Sequence, residues 1–277
     1  MNTAAVHAIH NNPDDDLWKL LEKLYHEKRW DFRNYKKASL KRRISVRLSA
    51  LNISSYKEYY KILESDPKEY DKLFSTITVK VSEFFRETEV FDLLKTVITS
   101  EFSNAAKGLK TWCCGCAYGE EAYSLGIILN ECLKPENLQN TKIFATDIDN
   151  ESLDIARKGI YREELLQNVD SSLRDKYFIK INKGYKVKYI IRNMVRYGRL
   201  DIVKDFPLSK IDILFCRNLF MYFEKKLQRE VFEKLDFALK PGGILVLGKA
   251  EILPASFLSR YKEIKERSRV YRKGGTA

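Results

Sequence analysis

One stretch, residues 111–124, restricts the fold of this chain more than any other. It reads Thr-Trp-Cys-Cys-Gly-Cys-Ala-Tyr-Gly-Glu-Glu-Ala-Tyr-Ser. An apolar run leads into small residues with glycines at 115 and 119, and an apolar-periodic segment then opens with Glu120 and Glu121. This order predicts a strand, a tight turn and the start of a helix, which is the building unit of an open α/β sheet.

The turn in this stretch is a candidate ligand site. In an open α/β sheet, the turn after the first strand lies where nucleotide-like ligands bind, because small residues let the backbone approach the ligand. Two carboxylates at the helix start would repel a phosphate, and they suit a cationic or hydroxyl-rich ligand better. The spacing is not Gly-x-Gly-x-x-Gly, so an ordinary strand-to-helix connection is the alternative.

Two later apolar runs also end in polar residues. Residues 142–147 end in Asp147, which is placed to accept hydrogen bonds from ribose hydroxyls, although capping of the next helix by Asp147 or Asp149 is the alternative. Residues 211–216 are followed by Arg217 and Asn218. Because the carboxyl ends of parallel strands meet at one edge, we expect all these side chains to converge on one crevice.

The rest of the chain suggests further parts around this α/β sheet. Residues 1–13 are predicted to be a disordered leader, residues 14–90 a helical domain with leucines at helical spacing, and residues 91–277 the α/β domain. A small antiparallel β-subdomain is predicted at about 171–197. That prediction rests on an alternating run and the glycine turn before it, namely Tyr185, Val187, Tyr189 and Ile191 after Gly184.

The chain is strongly basic, with a net charge of +12 and a pI near 9.3. Such a charge favours an anionic partner, which could be nucleic acid, a membrane surface or an acidic protein. Nine Lys or Arg residues against one acid lie in residues 28–47. If a helix reaches back to Lys36, then Lys36, Arg43 and Arg47 share one face. We favour a docking surface for an acidic partner over a merely solvated face.

The cysteines and the hydropathy exclude several classes of protein. Five cysteines, an odd number with three at 113, 114 and 116, do not suggest a disulfide framework, and all three histidines lie far upstream of them. The sequence therefore predicts buried thiols and no metal site. With no apolar run of membrane-spanning length and no signal-peptide pattern, we expect a cytoplasmic protein without membrane insertion.

Six segments in order carry a family resemblance: Ser82–Glu87, Gly119–Ser124, Ala145–Ile148, Phe215–Phe223, Leu239–Gly243 and Gly248–Glu251. They resemble the chemotaxis receptor methyltransferases, the CheR family of S-adenosylmethionine-dependent protein-glutamate O-methyltransferases. The resemblance covers about residues 14–273, and the order and spacing of its motifs make it specific. The family usually has proline where this chain has Ala122.

The resemblance implies a doubly wound, Rossmann-like methyltransferase sheet with an N-terminal all-helical domain and a small antiparallel β-subdomain. The cofactor would be S-adenosylmethionine and the product S-adenosylhomocysteine. Carried over by motif, the cofactor site comprises Lys80, Ser82, Arg86, Glu120, Glu121, Asp147, Asp201, Ile202, Cys216, Arg217 and Asn218. Arg86 and Tyr222 would be catalytic and face the transferring methyl, and which of the two glutamates touches the cofactor stays open.

Three departures from the family pattern bear on the site. Lys80 and Asp201 each stand where the family commonly has an asparagine that contacts the cofactor. A lysine near a sulfonium is unfavourable unless paired, so either Lys80 and Asp201 compensate each other or Lys80 points away. The β-subdomain hairpin is shorter than in members that grip a peptide on the receptor tail, so we expect no such tether.

The resemblance also implies the reaction and the partner. The acceptor would be a glutamate carboxylate on the cytoplasmic helical domain of a chemotaxis receptor, and the enzyme is expected to be a monomer. A carboxylate is ionised at neutral pH and needs no general base, which suits a chain with no histidine after His26. Two alternatives remain: a nucleic-acid methyltransferase, given the basic pI, and a catalytically weakened cofactor-binding scaffold, given residues 80 and 201.

Overall fold

The computed structural model describes residues 13–78, 80–103 and 107–275. Contacts divide these residues into two units: the described residues before 79 together with 222–224, and the remainder. The boundary was predicted from the sequence at residue 90, whereas residues 80–90 lie in the second unit. The predicted leader falls outside the described residues except for Pro13, which begins the first helix.

The first unit is built from four helices: α1 (Pro13–Lys28), α2 (Lys37–Ala50), α3 (Tyr56–Ser65) and α4 (Pro67–Ile77). The predicted leucine spacing holds, because Leu17 and Leu24 of α1 and Leu40 of α2 are each at most 1% exposed. The side chains of Ser55 and Asp66 accept hydrogen bonds from the first-turn amides of α3 and α4. These caps fix where the two helices begin.

A buried ion pair joins α2 and α4. Glu69 has no exposed surface, and Arg47 donates to its two carboxylate oxygens at 2.8 and 2.9 Å. The Tyr59 hydroxyl donates to the same carboxylate at 3.0 Å. Arg47, predicted to be a docking residue, is therefore engaged in holding the helical unit together.

Removal of this arginine is expected to destabilise the protein. Arg47→Ala leaves Glu69 buried without its bidentate partner, which should lower the free energy of unfolding by about 3 kcal/mol. Urea denaturation of the variant measures this change. The matched control is Arg42→Ala, on the exposed side of the same helix, and equal effects of the two substitutions would contradict the structural role of Arg47.

The second unit alternates strands and helices. Its strands are β1 (Lys110–Cys114), β2 (Lys142–Asp147), β3 (Ile160–Tyr161), β4 (Phe178–Ile181), β5 (Gly184–Val187), β6 (Val195–Arg199), β7 (Ile211–Cys216), β8 (Leu239–Leu247), β9 (Tyr261–Glu263) and β10 (Val270–Lys273). Its helices are α5 (Thr88–Val97), α6 (Glu120–Cys132), α7 (Pro135–Leu138), α8 (Asn150–Lys158), α9 (Ser171–Tyr177), α10 (Tyr189–Arg192) and α11 (Lys225–Ala238).

Seven strands form the central sheet in the order β6-β2-β1-β7-β8-β10-β9. The first five are parallel, and β10 and β9 add antiparallel pairs at the end. The order reverses between β1 and β7, and ligands of doubly wound sheets bind at such a switch point. The predicted α/β fold class is confirmed, including the helical N-terminal part and a separate small antiparallel sheet.

The small sheet has the order β3-β5-β4. Residues 182 and 183 connect β4 to β5, so the predicted turn is confirmed. Two details of the prediction are wrong, because Tyr189 and Ile191 lie in the helical turn α10, and β6 belongs to the central sheet. The sheet also recruits β3, which precedes the predicted range.

Apolar side chains fill the interior of the second unit around the central sheet. Cys113, Ile213 and Phe215 of the central strands belong to one large buried cluster. Trp112 and Leu214 lie outside that cluster and are also fully buried, as expected for parallel strands covered on both faces. None of the helices in the described part of the chain is both long and apolar enough to cross a bilayer.

Candidate functional site

The loop after β1 is fixed against the end of β2 by three backbone amides. Those of Gly115 and Cys116 donate to the carbonyl of Thr146 at 2.8 and 3.0 Å. The amide of Ala117 donates to the carboxylate of Asp147 at 2.8 Å. The polar ends of the first two parallel strands are thus joined at the carboxyl edge of the sheet, as the sequence predicted.

Gly119 closes this loop at the start of α6. Its φ is +91°, and a β-carbon there would lie 2.5 Å from the hydroxyl oxygen of Tyr197 and 2.9 Å from the β-carbon of Ala156. No larger residue fits without displacing one of them. The glycine therefore sets the path by which the chain turns into the helix.

Two aspartates at the end of β2 have separate roles. Asp147 accepts from the amides of Ala117 and Asp149, one on each carboxylate oxygen. Burial raises the pKa of Asp147, and these two hydrogen bonds act against that rise. Asp149 caps α8 by accepting from the amide of Ser152 at 3.1 Å. The capping alternative thus applies to Asp149, and Asp147 remains the candidate for ribose.

Lys80 is paired with Asp149 at 2.5 Å, and both side chains are largely buried. Asp149, on the loop after β2, thus supplies a pairing for which Asp201 was one of the possibilities that the sequence left open. Although burial acts in the opposite direction, hydrogen bonds from Lys80 and Ser152 lower the pKa of Asp149. The positive charge of Lys80, which departs from the family pattern, is therefore neutralised by an acid of the loop after β2.

Arg217, after β7, is the centre of a buried ionic cluster. Its side chain is 2% exposed and lies 2.8 Å from Glu87 and 3.2 Å from Glu121. It also donates to the carbonyl of Arg86 at 2.9 Å. The third strand end is thereby tied to the start of α6 and to the segment before α5, so the structure brings together the three strand ends that the sequence singled out.

Glu120 and Glu121 differ in burial. Glu120 has no exposed surface, and neither of its carboxylate oxygens has a hydrogen-bond partner among the described residues. Burial raises its pKa to about 7, and the nearby Ser82 side chain opposes this without reaching hydrogen-bond geometry. Glu121 keeps 15% of its side chain exposed beside Arg217. The two glutamates thus differ in pairing as well as burial, and the assignment of one of them to the cofactor stays a prediction.

The raised pKa of Glu120 predicts a pH-dependent stability. Its pKa is 4.5 unperturbed and about 7 in the folded chain, so folding takes up a proton between these values. The stability it contributes is complete below pH 4.5 and is lost as pH rises through 7, by about 3 kcal/mol. Unfolding free energies of the wild type and Glu120→Gln should converge at low pH and diverge by pH 7.5, with the variant more stable. Parallel pH profiles would contradict this burial effect.

Glu251, in the turn after β8, organises the loop after β7. One carboxylate oxygen accepts from the amides of Asn218 and Gly248 at 2.9 and 2.8 Å, and the other accepts from Phe220 at 2.7 Å. Asn218 has a left-handed φ of 60°, which these contacts stabilise. Glu251 ends one of the segments that resemble the family, but no role was predicted for it from the sequence. The signal in the sequence that could have identified Glu251 is an acidic residue shortly after a buried apolar run.

The remaining predicted cofactor residues after β6 and on β7 are held by other means. Asp201 accepts from the amide of Val203, and burial raises its pKa. Lys234 of α11 donates to three carbonyls of this turn, including that of Ile202 at 2.9 Å. Cys216 is fully buried, and hydrogen bonding with Cys114 together with burial raises the pKa of its thiol. The expected burial of the cysteines at 113, 114 and 116 is confirmed, since each is at most 2% exposed, whereas a role of Cys216 in cofactor binding stays a prediction.

Two phenylalanines anchor the segment before α5. Phe84 is fully buried and contacts the rings of Tyr161 and Phe178. Phe85 is 5% exposed and has a left-handed φ of 51°. Arg86 follows with a partly exposed guanidinium that donates to the carbonyl of Val81 at 2.9 Å. The buried phenylalanines and the strained backbone at Phe85 thus hold the segment that carries Arg86.

Tyr222 belongs to the helical unit. Its carbonyl accepts from the amide of Lys36 at 2.8 Å, and its ring lies 5.2 Å from the guanidinium carbon of Arg43. Arg86 lies in the second unit and Tyr222 in the helical unit. A joint catalytic role of the two residues at the transferring methyl stays a prediction.

Two family models match nearly the whole chain. The CheR methyltransferase SAM-binding domain matches residues 80–270, and the CheR methyltransferase all-alpha domain matches residues 15–78. The chain belongs to the CheR family. The family-model boundary at 78 to 80 coincides with the division between the two units of the structure.

Relatives in the CheR family support this assignment. A chemotaxis protein methyltransferase of Borreliella burgdorferi is 30% identical over 88% of this chain and 90% of its own length. Chemotaxis protein methyltransferase 2 of Pseudomonas aeruginosa is 30% identical over 89% of this chain and 90% of its own. An uncharacterized 104.1 kDa protein of Rhodobacter capsulatus is 29% identical, and the match covers 26% of that protein.

As a CheR family member, the chain is an S-adenosylmethionine-dependent methyltransferase. The charges of the crevice fit that cofactor. Of the three cations assigned to the crevice, Lys80 and Arg217 are paired with acids, and Arg86 donates to the carbonyl of Val81. Asp147 accepts hydrogen bonds from neutral backbone amides. The surplus of carboxylates suits the sulfonium and ammonium groups of the cofactor, as the sequence indicated.

Proposed function

We propose that this CheR family member transfers the methyl group of S-adenosylmethionine to glutamate side chains of chemotaxis receptors, forming methyl esters and leaving S-adenosylhomocysteine. The main observation behind this proposal is the acid-rich crevice at the ends of β1, β2 and β7. The names of the relatives, which are chemotaxis protein methyltransferases, also support it. The place of action would be the cytoplasm, where a receptor presents its helical signalling domain.

A carboxylate acceptor requires no general base from the enzyme. It is already ionised at neutral pH, so no proton has to be removed before methyl transfer. The chain must hold the acceptor oxygen, the methyl carbon and the sulfur in line and exclude water, and such positioning can contribute about 7 to 11 kcal/mol. We assign Arg86 to orient the acceptor carboxylate and Tyr222 to present its ring or hydroxyl near the sulfonium.

The helical unit would dock the receptor through its basic residues. Lys36, at the start of α2, is exposed, whereas Arg43 is half-buried and donates to the carbonyl of Thr76. Arg47 is paired with Glu69. Lys36 is therefore the residue of the predicted trio that is best placed to meet an acidic receptor helix, and complementary charge there raises the encounter rate.

The docking role of Lys36 has a salt-dependent test. Lys36→Glu should lower kcat/KM for receptor methylation about fivefold at low salt, and the loss should shrink as salt screens the charges. The affinity for S-adenosylmethionine should not change. The control is Lys61→Glu, an exposed lysine of α3. If the two variants behave alike at every ionic strength, Lys36 has no docking role.

A labelled-methyl assay tests the proposed function against its alternatives. The protein is incubated with methyl-labelled cofactor and either receptor cytoplasmic domain or nucleic acid. We expect label on the receptor that is released as methanol by mild base, because esters are labile and N- or C-methyl groups are not. Label on nucleic acid would favour the nucleic-acid methyltransferase. Cofactor binding without transfer would favour the scaffold.

A further inference from the structure

A cavity of about 360 Å³ lies beside β6, the edge strand of the central sheet. Its volume falls within the roughly 300–1,000 Å³ of pockets that hold small molecules. Among the described residues, none of those assigned to the cofactor lines it. Its walls are mainly arginine and tyrosine: Arg157, Arg192, Arg196, Tyr123, Tyr189 and Tyr197.

The cavity is positively charged. No acidic side chain lines it among the described residues. Arg157 is paired with Asp154 at 2.7 Å, and Arg196 donates to the backbone carbonyl of Asn193 at 2.8 Å. The Nε atom of Arg192 is buried and has no hydrogen-bond partner in the described part of the chain. Within the described part of the chain, three guanidinium groups around one cavity are offset by a single paired carboxylate, that of Asp154, and they match a ligand that carries several negative charges.

The tyrosine rings give the positively charged cavity a flat apolar surface as well. The rings of Tyr123 and Tyr197 lie 5.8 Å apart, edge to face, and both line the cavity. Tyr189 on α10 also lines it and is 69% exposed. A large exposed ring beside arginines is suited to stack on a planar heterocycle.

We propose that this cavity binds a nucleotide, with its phosphates on the arginines and its base against Tyr189. Planar guanidinium groups bind phosphate oxygens in pairs, which explains three arginines better than a single anionic charge would. The base accounts for the exposed ring, which a phosphate alone would leave unused. The site is distinct from the methyl-transfer crevice, and it stands whether or not the acceptor is a receptor glutamate.

Calorimetric titration of the whole protein with GTP tests this site. Saturating S-adenosylhomocysteine is present throughout, so that the cofactor site is filled. We expect saturable binding that weakens about tenfold or more in Arg157→Gln/Arg196→Gln. Tyr189→Ala should weaken GTP binding about fivefold or more and leave tripolyphosphate binding unchanged. The control, Lys158→Gln, replaces an exposed neighbour of Arg157 and should bind like the wild type.

Three results would overturn the assignment. They are the absence of saturable GTP binding, equal binding by the double arginine variant with a wild-type circular dichroism spectrum, and equal affinity for GTP and tripolyphosphate. The last result would show that the tyrosine contributes nothing and that the ligand is not a nucleotide.

Discussion

Glu251→Gln is expected to lower the rate of methyl transfer about 100-fold, because a misplacement of about 1 Å near a reacting centre can cost that much. The carboxylate accepts from the backbone amides of three residues and so fixes the loop after β7. Glutamine keeps only one acceptor oxygen and brings an NH₂ group against amides that need an acceptor. Asn218, a predicted cofactor contact, would lose the acceptor for its amide that stabilises its left-handed backbone conformation. Glu251 is thus a positioning residue.

The matched control for Glu251 is Glu263→Gln. Glu263 also accepts from a backbone amide, that of Arg269 at 2.8 Å, but lies in β9 away from the strand ends of the site. We expect it to retain near-normal activity. Cofactor affinity, measured by calorimetry, should fall at least about tenfold in Glu251→Gln, since the loop includes Asn218. Loss of thermal stability with unchanged cofactor affinity and activity per folded molecule would refute the positioning role.

Asp147→Asn is expected to weaken S-adenosylmethionine binding about 100-fold, equivalent to about 2.7 kcal/mol. The substitution removes a negative charge from the crevice and places an amide donor against the backbone amide of either Ala117 or Asp149. The loop after β1 loses one of its attachments, and the predicted acceptor for ribose hydroxyls is lost with it.

Calorimetric titration of Asp147→Asn with S-adenosylmethionine measures this effect. Asp154→Asn is the control, because Asp154 lies on the exposed face of α8. Affinity within about twofold of the wild type in Asp147→Asn would exclude Asp147 from the cofactor site.

The parts of the site that the sequence predicted are those fixed by local pattern. An apolar run followed by glycines and a helix start identified β1 and α6, and polar residues after apolar runs located Asp147 and Arg217. The rule that parallel strands end at one edge then brought these residues together, and the structure agrees.

The partners of the charged residues could not be predicted, because they depend on how distant segments meet. Lys80 pairs with Asp149 and Arg47 with Glu69 across separate elements. Period-two alternation through Tyr189 suggested a strand, although the residue begins a helical turn. Alternating apolar and polar residues show which side chains are buried, but they do not show the backbone conformation. A short helix that follows a strand can bury some of the same side chains.

Peptide mapping of a methylated receptor tests the central claim most directly. Receptor cytoplasmic domain is incubated with the protein and S-adenosylmethionine, digested, and analysed by mass spectrometry before and after mild base. The proposed function predicts added methyl groups on glutamate side chains that disappear with base treatment. Methyl groups on other side chains, or an unmodified receptor despite measured cofactor binding, would contradict it.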